Sequence, residues 1–200
     1  MKIYHYTKGV ALNSIFNDGF IGTEMCRGLN NTPHVTNNAW LTEKTSFPKT
    51  ALPLIATMPE TQLMLHVGKA NVYVDLNKIG SFTGGIYRFV FDSTDTRFKK
   101  WWHSEERKAL SNNFLWQLME KVANKVGDDV RSFWVCEENI ALENFTLQAF
   151  ENGVWVDKLV NCSLSNIDKD TNEKIEQIKT KSQNKCAELG INLEMFRKAA

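Results

Sequence analysis

The sequence predicts a mixed α+β fold: a twisted or split antiparallel sheet with flanking helices and a C-terminal helix. Three observations predict it. The chain opens with a strand and then a helix that stops at Asp18-Gly19, several short apolar runs alternate through its middle and late parts, and one long helical stripe covers residues 168–189. Its 200 residues are enough to enclose a hydrophobic core without metal or disulfide support. The expected organisation is a domain over 1–165 with a helical appendage over 166–200 packed on it.

Residues 2–7 read as the first strand. Residues 9–18 read as a helix with Val10, Leu12, Ile15 and Phe16 mostly on one side, and Gly19 is its natural stop. The stretch 22–38 is rich in Gly, Asn, Thr and Pro and reads as loop. Ala39-Trp40-Leu41-Thr42 is a short strand, followed by irregular chain with Pro48, Pro53 and Pro59. Alternation then marks strands at 63–67 and 72–76, and the β-branched and aromatic run 86–91 after Gly84-Gly85 makes a third. Ser104 is placed to cap a helix with Glu105 and Glu106 in its first turn, and Leu110, Phe114, Leu118 and Val122 recur every four residues before Gly127. Residues 132–142 read as a strand-like run interrupted by two acids, and 145–150 and 154–159 flank Asn152-Gly153, a tight-turn dipeptide that signals a hairpin. In the last helix Ile175, Ile178, Ser182, Cys186 and Leu189 share a stripe, and Gly190 ends it.

Composition narrows the function classes. The chain is 42% hydrophobic and 24% charged, as in a soluble globular protein. No apolar run approaches the roughly 20 residues that span a bilayer, so no membrane partner is expected. The N-terminus lacks a secretory pattern, which predicts an intracellular, cytoplasmic protein. Cys26, Cys136, Cys162 and Cys186 are scattered, without a C-x-x-C pair or histidines at ligand spacing, so reduced thiols and no metal site are expected. The glycosylation patterns at Asn30, Asn144 and Asn161 carry no weight without a secretory route. A net charge of +1, from 24 basic and 23 acidic side chains, supplies no global field for nucleic acid but leaves room for a local basic groove. There is no internal repeat, low-complexity tract or phosphate-binding P-loop.

In Ile3-Tyr4-His5-Tyr6-Thr7, His5 and Thr7 share one strand face, and the helix that follows presents N-terminal amides to which a polar ligand can come close. This opening, with the helix Leu12-Asn13-Ser14-Ile15 running to Gly19, resembles that of NAD-dependent ADP-ribosyltransferases, most closely the DarT-like and polymerase-like groups. The resemblance covers about the first 20 residues and two later blocks. Trp40-Leu41-Thr42 is similar to the second block, a strand of large apolar, apolar, then Ser or Thr. Glu138, followed by Ile140 and Leu142, matches the late strand that carries the essential glutamate.

The resemblance implies an ADP-ribosyltransferase-like fold and transfer of ADP-ribose from NAD to a macromolecular acceptor, protein or nucleic acid, with release of nicotinamide. A toxin or a phage–host conflict factor is the analogous setting. The resemblance further implies that His5, Tyr6, Thr7, Trp40 and Thr42 bind NAD, with His5 on a ribose hydroxyl. Breaking the bond to nicotinamide leaves positive charge on the sugar, and a fixed carboxylate stabilises it. Glu138 is the expected catalytic residue, with Glu137 on the opposite strand face and the register open by one. Trp40 reads equally well as a nicotinamide wall or as core. Arg27 and Arg88 are candidate pyrophosphate ligands, though surface or structural roles fit each better. The Arg-Ser-Glu triad of some transferases is not found. Two alternatives stand beside this reading: an inactive binding module of the same fold, and an RNA 2′-phosphotransferase, for which a basic phosphate pocket cannot be assembled.

Overall fold

A computed structural model of the chain describes residues 1–23, 38–49, 76–112, 114–125, 127–188 and 190. The opening folds as its pattern predicts. Strand β1 (Lys2–Lys8) leads into helix α1 (Gly9–Asp18), and Gly19 closes the helix with its N–H on the Ile15 carbonyl at 3.0 Å. Next come β2 (Phe20–Ile21), β3 (Ala39–Thr42), α2 (Leu76–Thr83), β4 (Ile86–Asp92), β5 (Lys99–Lys100) and a 3-10 turn at Trp101–His103. Helices α3 (Glu105–Ala109) and α4 (Phe114–Lys125), strands β6 (Phe133–Cys136), β7 (Ile140–Ala141), β8 (Phe145–Glu151) and β9 (Val154–Cys162), and helix α5 (Lys169–Glu188) follow among the described residues.

Among the described residues, seven strands form one antiparallel sheet in the order β5-β6-β3-β1-β4-β8-β9, and β2 pairs with β7 in a second, two-stranded sheet. The expected antiparallel sheet with flanking helices and a C-terminal helix is therefore present. Residues opposite each other across a ladder share a face, so the sheet has two distinct sides. One carries Ile3, Tyr87, Phe89, Phe91, Phe145 and Leu147, and α1 and α5 close over it with Leu12, Ile15, Phe16 and Ile175. The other carries two smaller clusters, Trp101, Leu110, Trp116 and Val135 in one, Phe47 and Ile86 in the other.

α5 lies against α1, α2 and β9, burying Ile175, Ser182 and Cys186 of its predicted stripe. The approach is close: a Cβ on Gly84, itself at φ +76°, would sit 2.5 Å from the Cys186 Sγ, so only glycine fits there. The β8–β9 hairpin turns through Asn152 and Gly153, both at positive φ as the dipeptide predicts.

Three sequence expectations about secondary structure are corrected. The helix begun at Ser104, whose side chain accepts from the Arg107 N–H, ends at Ala109, and a second helix starts at Phe114. Ser111-Asn112-Asn113 is poor helix sequence and interrupts the four-residue repeat. The run 132–142 is two strands in two sheets, divided by a bend at Glu137-Glu138. Leu76 opens α2 rather than ending a strand; the rest of that strand, and the one at 63–67, lie outside the described residues. β2 and β5 were not expected at all. Among the described residues no helix is long and apolar enough to cross a membrane, and no cluster of His, Cys, Asp and Glu is arranged to hold a metal.

Candidate functional site at the β1–β3 junction

β1 and β3 meet through a single bridging pair, Tyr4↔Thr42. His5 joins the two strands just beyond it: its ring Nδ1 donates to the Trp40 carbonyl at 2.9 Å. A carbonyl only accepts, so this bond requires the proton on Nδ1 and makes Nε2 the acceptor of the neutral ring. Extending the β1–β3 register brings Thr7 level with Ala39, which pairs with Cys136 of β6. The bend after Cys136, which carries Glu137 and Glu138, thus lies at the same end of the sheet as Thr7 and the first turn of α1.

Pairing separates the remaining candidates by face. His5 and Thr7 lie on the α1 side, with Thr7 buried; Tyr6, Trp40 and Thr42 lie on the other. The last three are engaged in the interior. Tyr6 donates its hydroxyl to the Lys44 carbonyl at 2.8 Å and packs edge-on to Phe47 and Trp155, and burial pushes its pKa up to about 12. Trp40 packs against Trp101 at 4.9 Å and against Trp116 and Phe133, the core alternative of the sequence reading. Thr42 is buried, shares a 3.1 Å hydrogen bond with the Ser132 hydroxyl and accepts from the Lys44 N–H. A sequence reader sees five polar or aromatic residues on two strands; the structure gives two of them to one face and three to the other.

Glu138 is exposed in the bend, not on a strand, and Glu137 beside it is exposed as well. The expectation that the two acids occupy opposite strand faces therefore fails, because β6 ends at Cys136. They differ in partner instead: Glu137 pairs with Lys99 at 2.8 Å and raises the lysine pKa. The bend is fastened by the Asn139 side chain, which accepts from the Thr23 N–H at 3.1 Å, and by the Glu138 N–H on the Cys136 sulfur. Burial raises the Cys136 thiol pKa, which keeps it protonated and poorly nucleophilic.

Arg88 is only 6% exposed and belongs to the architecture. Its guanidinium lies between the rings of Tyr4 and Trp155, at 4.4 and 4.2 Å, and donates to Gln148 Oε1, the Tyr6 hydroxyl and the Thr45 carbonyl. Gln148 in turn donates to Asp157. Arg27 lies outside the described residues. Sequence reasoning missed Glu106, whose Oε2 accepts from the amide of fully buried Asn38 at 2.9 Å, at the start of β3. Two residues 68 positions apart carried no local signal for this bond.

Comparison with protein-family models, with curated proteins and with solved structures finds no match.

Proposed function

We propose that this protein transfers ADP-ribose from NAD to a macromolecular acceptor, releasing nicotinamide. The observation that carries the reading is the β1–β3 junction, where His5 is oriented by its bond to the Trp40 carbonyl and the strand registers bring the Glu138 bend to the same sheet end. The antiparallel sheet of the class implied by the sequence resemblance supports it.

In this reading His5 grips a ribose hydroxyl of NAD, with Thr7 beside it on the same strand face, and the exposed carboxylate of Glu138 stabilises the positive charge that develops on the sugar. Glu137, which faces Lys99 in an exposed ion pair, contributes less. Tyr6, Trp40 and Thr42 support the junction from behind instead of touching the ligand, because their polar atoms and rings are taken by interior partners.

That same engagement of three candidates favours one competitor, an inactive binding module of this fold. Incubation with NAD labelled in the adenylate, alone and with a cell lysate, separates the two. The transferase reading expects nicotinamide release together with label on a macromolecule, and separate nuclease and protease digestion identifies the acceptor class. A binding module releases no nicotinamide.

A further inference from the structure

Past their one bridging pair, Tyr4↔Thr42, β1 and β3 are joined by the bond from His5 Nδ1 to the Trp40 carbonyl. On its other side β3 pairs with β6 as far as Ala39↔Cys136. The direction of the Trp40 carbonyl depends on the backbone of residues 38–40, and the segment from the Trp101 turn through α3 grips that stretch at two points. Trp101 packs edge-on to the Trp40 ring at 4.9 Å, and Glu106 Oε2 accepts from the Asn38 amide at 2.9 Å. Asn38 and Trp40 are two residues apart in extended chain, so both grips act on one strand face.

The gripping segment is itself fixed. Ser104 donates its hydroxyl to the Trp101 carbonyl at 2.8 Å and accepts from the Arg107 N–H at 3.1 Å, which ties the turn to α3. Arg107, next to Glu106, donates through Nε and Nη2 to Glu120 of α4, at 3.0 and 3.1 Å. Asn38 is 0% exposed, so an amide that lost Glu106 has no solvent to turn to, and the entry to β3 shifts instead.

We infer that Glu106 is a positioning residue for His5: through Asn38 it holds the Trp40 carbonyl where the Nδ1–H of the ring meets it. The bond made at one ring nitrogen decides which nitrogen carries the proton, so Glu106 selects the tautomer in which Nε2 is the acceptor. What His5 then does with NAD rests on the transferase reading; the tautomer does not. The working properties of Glu106 are reach and an acceptor oxygen. Its charge has a separate, smaller effect, since the Lys99 pKa, raised chiefly by the bond to Glu137, is raised further by Glu106.

The test uses the intact chain labelled with 15N at histidine. Long-range proton–nitrogen spectra read which ring nitrogen of His5 is protonated, the signal being assigned by its loss in His5→Ala, and calorimetry reads NAD affinity. Glu106→Gln keeps the reach and a carbonyl oxygen without the charge; Glu106→Asp keeps the charge but withdraws the carboxylate by one methylene. Glu106→Ala, a strong helix former, repeats the second arm if the Asp variant does not fold. The unaltered protein and Glu106→Gln should show the Nδ1–H form and equal NAD affinity. Glu106→Asp and Glu106→Ala should show mixed tautomers and bind NAD about tenfold more weakly. Mixed tautomers in a chain that binds no NAD uphold the positioning role and count against the transferase reading alone. An unchanged tautomer in both Glu106→Asp and Glu106→Ala, or a Glu106→Gln protein as impaired as Glu106→Asp, overturns the inference.

Discussion

Replacing Arg88 decides whether the central sheet, and not a pyrophosphate, holds this guanidinium. Arg88→Ala removes charged-donor hydrogen bonds to Gln148 Oε1 and the Thr45 carbonyl, both at 2.6 Å, each worth about 1.5–3 kcal/mol. It also removes the contacts with the Tyr4 and Trp155 rings, at about 0.5–2 kcal/mol each. Relief from burying a charge offsets several kcal/mol of that gross loss. The net expectation is a destabilisation of about 3 kcal/mol, or a fall of about 6–12 °C in Tm for a chain of this size. Arg88→Met, which refills the volume without the charge, should cost only about 1–2 kcal/mol. Urea unfolding and thermal melting measure both, and NAD titration of Arg88→Met supplies the functional arm. A loss below about 1 kcal/mol for Arg88→Ala, or a tenfold loss of NAD affinity in a stable Arg88→Met protein, would refute the structural assignment.

His5→Ala should weaken NAD binding measurably by calorimetry while costing about 1 kcal/mol of stability through loss of its bond to the Trp40 carbonyl. Gly84→Ala should destabilise by more than about 2 kcal/mol, because the new Cβ meets the Cys186 sulfur at a strained positive φ. Gly153→Ala, with open space around it, should cost only the backbone term of about 1–2 kcal/mol, and chemical denaturation of the two variants compares them. Burial raises the pKa of Tyr6 and of Tyr87 to about 12, above the ordinary 10.0 of an unfolded chain. A raised folded pKa gives stability that is fully present below the unfolded value and lost as pH rises through the folded one. Circular dichroism with tyrosinate absorbance should therefore show stability falling between about pH 10 and 12, and a flat profile through that window contradicts the burial of both rings.

What the sequence made legible was local. β1, α1 with its Gly19 stop, the Asn152-Gly153 hairpin and the stripe of α5 each declare themselves within one stretch of chain, through periodicity or turn chemistry. The shared face of His5 and Thr7 followed from alternation alone. The break at Ser111-Asn112 was hidden by an apolar repeat that continues across it, and the end of β6 by the apolar residues beyond Glu138. Which face Trp40 and Thr42 occupy was not legible, because it depends on pairing between strands 38 residues apart, as Tyr4 and Thr42 show. The burial of Arg88 arises likewise from Tyr4, Gln148 and Trp155 converging on it from three strands.

The most direct test of the transferase reading is nicotinamide release by the intact chain and by Glu138→Gln and Glu137→Gln. The account predicts release by the unaltered protein, a loss on the order of 10²-fold in Glu138→Gln with NAD affinity largely kept, and a small effect in Glu137→Gln, whose half-exposed pair with Lys99 is worth little. No release by the unaltered protein, or equal near-normal activity in both variants, would contradict it, and a severe defect in Glu137→Gln alone would move the catalytic carboxylate to its neighbour.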